Sequence, residues 1–342
     1  MNLLTRMTVH RSFIFFLLIG ILISMVSCTS SKKEKERDDN VQSTTTQVMQ
    51  IEVPIFNEDT AFNYIKAQVD FGPRVPNTKA HAACAEYFVS TLKKFTPAVS
   101  VQTGKVTTYD GITLNLKNII ASFNVESKNR ILLFAHWDTR PWADLDPKQS
   151  KEANLGADDG GSGVGVLLEV ARQFSLKVPT SGVDIIFFDA EDWGKSGGGP
   201  ESEDSYCLGS QYWIKNLHTP GYTANYGILL DMVGGRGSRF LIEGNSKNLA
   251  SFLVDKVWKT AANLGYSGYF ISQEGGWVTD DHVYVNRANI PSIDIIGSSA
   301  SSQSGFPAHW HTQADNMDII DKATLKAVGQ TVLHVVYSET GI

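Results

Sequence analysis

The sequence predicts an α/β fold: one domain with a mixed, mostly parallel central β-sheet flanked by helices. Two observations carry this prediction. Apolar runs with the composition of buried strands recur as "ILLFA" before His136, "VDIIFF" before Asp189 and "YGILL" before Asp231. From Arg130 onward the pattern runs strand, Gly-rich loop, helix, then strand, loop and helix again. Such alternation builds parallel or mixed sheets covered on both faces by helices.

The N-terminus stands apart from this domain. Arg6 and Arg11 form a basic segment ahead of "SFIFFLLIGILISMV", residues 12–26, which ends at Ser27-Cys28. An apolar stretch of about 15 residues is short for a spanning helix and suits a signal peptide. A cysteine after a small residue at this point reads as a lipoprotein cleavage site, although Met25 stands where Leu is usual. The alternative is an ordinary signal peptide with a chance cysteine. Residues 1–28 are therefore expected to be a leader ending at a lipidated Cys28. Residues 29–50 contain "SSKKEKERDDN" and "QSTTTQ" and are too poor in apolar side chains to form a core. They read as a flexible tether, which leaves residues 51–342 as the catalytic domain. This places the protein in the cell envelope, facing the periplasm or attached to the outer membrane, with the lipid as its only membrane contact.

Within the domain, Asn57-Glu58-Asp59 opens an amphipathic helix to about Val69, with Phe62, Ile65 and Val69 on one face. "FGPRVPNT" breaks it, and a second helix is expected over residues 79–94. Alternation over residues 99–109 predicts a strand, with its neighbour over residues 117–123. Helices are expected over residues 163–174, 249–264 and 322–337. No repeat and no second domain boundary is visible.

The chain carries 30 Lys+Arg against 36 Asp+Glu, and loss of Arg6 and Arg11 with the leader makes the balance more acidic. No basic patch stands out, which argues against a nucleic-acid partner. Beyond Cys28 only Cys84 and Cys207 remain, without metal-type spacing. They read either as a disulfide or as two buried free thiols.

The chemistry is carried by acids and histidines near strand ends: His136-Trp137-Asp138, Asp159, Glu191-Asp192, Asp231 and His311. Any one of these acids alone reads as an N-cap or a surface charge. Together, at the carboxyl ends of strands, they point to a metal site. "GADDGGSGVGVLLEVAR" places Asp158-Asp159 in a tight turn before a helix. It lacks the Lys-Ser/Thr ending of a phosphate loop. "FFDAEDWG" sets adjacent acids after a strand, so one can bind metal while the other moves a proton. "LLDMVGG" supplies Asp231 and "FPAHWHT" supplies His311.

These segments, with "FGPRVP", "AHWDTRPWAD", "YCLGSQYW" and "DDHVYVNRANIPSIDII", resemble the glutaminyl cyclases (glutaminyl-peptide cyclotransferases) of the zinc aminopeptidase-like fold. The resemblance covers residues 57–340. It implies one zinc ion held by Asp159, Asp192 and His311, with Asp192 at a position that is usually Glu. It implies Glu191 as general base, with Asp231 and Asp280 as buried carboxylates sharing its hydrogen-bond network. It implies Trp193 and Trp310 as walls of the substrate pocket, with Phe306 at the rim. His309 reads as a surface histidine, and His81, His218 and His334 as structural or exposed. Asp294 has no assigned role.

The implied reaction closes the N-terminal glutamine of peptides and proteins to pyroglutamate with release of ammonia, by a monomer. The first rival is a zinc aminopeptidase, because His136, Asp159, Asp192, Asp231 and His311 also match the five ligands of a two-zinc site. The tryptophan before His311 and the "DDH" segment favour the cyclase. The remote rival is a non-catalytic binding domain.

Overall fold

The computed structural model describes residues 52–299, 302 and 304–339. The expected leader, Cys28 and the tether lie outside these residues. The described residues form one compact unit. Among the described residues no helix is long and apolar enough to cross a membrane.

Among the described residues eight α-helices and eight strands follow in the order α1 Glu58–Val69, α2 Lys79–Leu92, β1 Val99–Thr107, β2 Thr113–Phe123, β3 Arg130–His136, α3 Gly161–Leu176, β4 Gly182–Phe188, α4 Pro200–Glu203, α5 Leu208–Lys215, β5 Tyr226–Asp231, β6 Arg239–Ile242, α6 Gly244–Asn263, β7 Phe270–Glu274, α7 Asp281–Arg287, β8 Ser292–Ser298 and α8 Lys322–Tyr337. The expected helices are present. α1 begins where Asn57 accepts the Thr60 N–H. α6 starts five residues before the predicted boundary, and its non-helical Ala250 marks where the regular helix takes over. Short α5 and α7 escaped the periodicity reading, since seven or eight residues give barely two turns of pattern.

The strands form one sheet in the order β1-β2-β4-β3-β5-β8-β6-β7. β4, β3, β5 and β8 run parallel at its centre. β1 and β2 are an antiparallel ribbon on one side, and β6 joins β8 antiparallel on the other.

Strand alternation divides the core between the two faces. Ile131, Leu133 and Ala135 of β3, with Val183, Ile185 and Phe187 of β4, join the larger cluster with α1, α2, α3, α6 and α8. Leu132, Phe134, Ile186 and Phe188 point the other way, against Trp213 of α5 and Val285 of α7. Each Val, Leu, Ile or Phe among them contributes about 1.5–3 kcal/mol on burial. The central strands are therefore largely apolar on both faces, with Asp184 inside β4 and Asp294 inside β8 as exceptions, and the site's polar residues gather at the carboxyl ends. α3 can lie close to the sheet because Gly163 has no side chain: a Cβ there would stand 2.1 Å from the Leu230 carbonyl oxygen.

Candidate active site

The carboxyl ends of the four parallel strands open into one cleft of about 490 Å³, lined by Asp159, Glu191, Asp192, Asp231, Asp280 and His311. This is the edge where ligands bind in open α/β sheets.

Asp159 is delivered by the loop before α3. Buried Arg74, from the Gly-Pro-Arg segment, donates to the carbonyls of Leu155 (2.5 Å) and Gly156 (2.7 Å). Asp315 accepts the N–H groups of Asp158 (2.7 Å) and Asp159 (3.2 Å). Gly156 has φ +55°, and a Cβ there would sit 2.3 Å from the Asp159 carbonyl oxygen, so the turn requires glycine.

Glu191 and Asp192 follow β4. The Asp138 carboxylate accepts both their N–H groups, at 3.0 and 3.2 Å, which holds the two acids as a unit. Arg140 donates to the Asp192 carboxylate at 3.2 Å and to its carbonyl at 3.1 Å. Burial opposes the charge on Asp192, but His311 and Arg140 offset it and hold the carboxyl below its ordinary range. Glu191 moves the other way. Burial, reinforced by Asp280, Asp192 and Asp281 and opposed by His136, pushes its carboxyl well above the usual range.

His311 is held with φ +55°. Its Nδ1 lies 3.1 Å from Asp144 Oδ1, and its Nε2 lies 3.3 Å from Asp192 and 4.0 Å from Asp159. Burial works against its charge, but Asp192 and Asp144 bring it to about 9. Asp231 ends β5, and burial with Asp159 and Asp280 nearby, opposed by His136, raises its carboxyl to about 8. Asp280 is the N-cap of α7 and accepts the Asp281 N–H at 2.5 Å. Burial raises it as well.

Two groups of metal-binding side chains share Asp159. Asp159, Asp192 and His311 form one, and His136, Asp159 and Asp231 the other, with ligand atoms within 4.8 Å of one another in each. His136 Nε2 faces Asp159 Oδ1 at 2.9 Å and Asp231 Oδ1 at 3.3 Å, and Oδ2 of Asp159 and of Asp192 is buried without a hydrogen bond. Buried polar atoms ordinarily have a partner, so these are aimed at something. One nitrogen and carboxylate oxygens are a donor set suited to zinc.

A model of peptidase family M28 matches residues 118–336. The chain belongs to this family. It is 54% identical to a Zn-dependent exopeptidase from Parabacteroides distasonis, with TM-score 0.82 over 84% of this chain and 100% of that one. It is 53% identical to Bacteroides thetaiotaomicron glutaminyl cyclase bound to N-acetylhistamine, again with TM-score 0.82 over 84% and 100%. It is 26% identical to the Drosophila melanogaster glutaminyl-peptide cyclotransferase over 74% of this chain and 73% of that one.

In this M28 chain one of the three expected pocket aromatics, Trp193, falls differently from the sequence reading. Trp310 lines the cleft, stacked on His311 at 3.8 Å between ring centroids, with Phe306 4.5 Å from it. Trp193 is absent from the cleft wall. It packs on Leu114, Leu116 and Leu208 and meets Trp142 edge-on. Asp192 takes the cleft-facing position, and its neighbour turns away. Tyr206 supplies an aromatic wall instead, laid against Gly194, where a Cβ would come within 2.1 Å of its ring. His309 is not a surface histidine: its side chain is 11% exposed and Nε2 is 2.7 Å from Asp158.

Of the two states expected for Cys84 and Cys207, the structure shows buried free thiols. The place of Cys207 in the site is what sequence reasoning missed. Cys207 Sγ donates to Glu191 Oε1 at 3.2 Å and lies 3.9 Å from Asp280. Asp294, on β8, is buried with both carboxylate oxygens unpartnered and groups with Asp280 and His282. Nothing in linear spacing signals contacts between residues so far apart along the chain.

Proposed function

We propose that the chain is a zinc-dependent glutaminyl cyclase that converts the N-terminal glutamine of peptides to pyroglutamate and releases ammonia. The observation that carries this reading is the cleft. It combines a zinc-type ligand triad with a carboxylate, Glu191, beside the triad, under an aromatic wall formed by Trp310 and Phe306. Likeness above 50% to a bacterial glutaminyl cyclase over nearly the whole domain supports it.

Asp159, Asp192 and His311 would hold one zinc ion, which when bound supplies Lewis-acid polarisation of the glutamine side-chain carbonyl. Glu191 takes a proton from the substrate α-amine as that nitrogen attacks the side-chain amide carbon. A C–N bond forms, the bond to the amide nitrogen breaks, and Glu191 returns the proton to the departing ammonia. Cys207 occupies Oε1 of Glu191, which leaves Oε2 for the substrate proton. Asp280 and the other carboxylates beside Glu191 raise its carboxyl, and this favours its taking the amine proton. Trp310 and Phe306 exclude water, so the amine is the nucleophile that reaches the carbonyl.

A second reading, a two-zinc aminopeptidase, draws on the His136, Asp159 and Asp231 group. Incubation with a Gln-initiated and an Ala-initiated peptide separates the two. The cyclase reading expects the first alone to lose the mass of one ammonia. Release of free amino acid from either peptide would favour the peptidase.

We also propose that the protein acts as a monomer held at the cell envelope by lipid on Cys28. The apolar segment over residues 12–26 and the charged segment after Cys28 support the anchor.

A further inference from the structure

Trp277 is the one exposed tryptophan among the described residues, with 70% of its surface open. It lies on the wall of the same cleft as Asp159, Glu191 and His311. Tryptophan is highly buried on average, and apolar surface left open inside a site marks a ligand contact. The ring is placed, not loose. Gly244, the first residue of α6, makes room for it: a Cβ there would lie 2.5 Å from the Trp277 ring. Both flanking residues are pinned. The Gly244 N–H donates to the Gly276 carbonyl at 2.9 Å, the Val278 N–H to Glu243 at 3.0 Å, and Asn245 Nδ2 to the Val278 carbonyl at 2.8 Å.

The reaction consumes only the first residue of a peptide, yet the cleft, at about 490 Å³, has the size of sites that hold drug-sized ligands. That is more than one residue fills. The chain of a bound substrate continues from its first residue along this cleft, and Trp277 offers it a flat apolar surface. We infer that Trp277 forms a subsite for the second residue of the substrate and selects a large apolar or aromatic side chain there. This rests on the glutaminyl cyclase reading. Exposed Leu145 adds a smaller apolar side chain to the wall, whereas exposed Glu203 would favour a basic one.

Three peptides differing only in Phe, Gly or Lys after the N-terminal Gln test the subsite, with wild-type protein, Trp277→Ala and Trp277→Phe. Wild-type protein should prefer Phe over both Gly and Lys. In Trp277→Ala the Phe-to-Gly ratio of kcat/KM should fall about tenfold. The loss should appear in KM, because the contact exists in ground and transition states alike. Trp277→Phe should restore most of the ratio, which separates a subsite from local collapse of the loop. An unchanged ratio in Trp277→Ala, or preference for Lys over Phe, overturns the subsite and leaves the cyclase intact. Wild-type protein that cyclises none of the three peptides overturns the cyclase reading and the subsite with it.

Discussion

Asp144 Oδ1 stands 3.1 Å from His311 Nδ1, and this contact decides which nitrogen of His311 faces Asp159 and Asp192. The carboxylate accepts the Nδ1 proton and leaves the Nε2 lone pair toward the two acids. Asp144 is itself held by Arg140 at 2.9 and 3.1 Å. Partners of this kind typically change metal affinity by 10–100-fold. Asp144→Ala should therefore weaken zinc binding by roughly that factor, measured by competition with a chromophoric chelator. Unchanged affinity would mean the contact does not orient the ligand.

The ligand triad predicts one tightly bound zinc per chain. Chelators should abolish activity, and Asp159→Ala should lose both metal and activity. Because Asp159 belongs to both ligand groups, its loss alone does not count metals. Elemental analysis does, and two zinc ions at full occupancy would replace the one-metal reading.

Glu191 and Asp192 are adjacent but should give different phenotypes. Glu191→Gln keeps the side-chain volume and removes the proton acceptor, so turnover should fall about 10²–10⁴-fold with zinc content nearly unchanged. Asp192→Asn should weaken zinc binding as well. Near-normal cyclisation by Glu191→Gln would reassign the base.

The envelope assignment is tested by Cys28→Ser. The parent protein should partition into detergent and incorporate labelled fatty acid, and the variant should be released or left unprocessed. A parent protein that stays in the aqueous phase without label would refute the anchor.

Acid stability should depend on Glu243. This residue is 2% exposed and accepts the N–H groups of Asn245, Ser246 and Val278 and a hydrogen bond from His282. Burial opposes its charge, but the His282 contact and the backbone donors win and bring the carboxyl from 4.5 down to about 2. A depressed carboxyl stabilises the fold above its unfolded value and loses that contribution as pH falls toward the folded one. Glu243→Gln should thus be less stable than wild type at neutral pH, and the gap should narrow as pH falls from about 4.5 toward about 2. Urea unfolding across that interval checks this, and a gap of constant size would exclude the linkage.

The α/β class and the helices flanking "FGPRVP" were legible in the sequence, because hydrophobic periodicity is local and α1, α3 and α8 are long enough to display it. The residue types of the site were legible too. Asp159, Glu191, Asp192, Asp231 and His311 stand in short, recognisable segments. Asp280 stands in the "DDH" segment, and in the structure it both caps α7 and lines the cleft.

What linear order does not encode is which face of a loop a side chain takes and which distant group meets it. Trp193 follows Asp192 directly and yet leaves the cleft for the cluster around Leu114. Cys207 reaches Glu191, and Asp144 reaches His311, only because the crossover connections return successive strand ends to one edge of the sheet. Local pattern determined strands, helices and the kinds of ligand available. Strand order and backbone turns at Gly156 and His311 decided how those ligands converge, because contacts between residues far apart in the chain depend on packing that no local segment specifies.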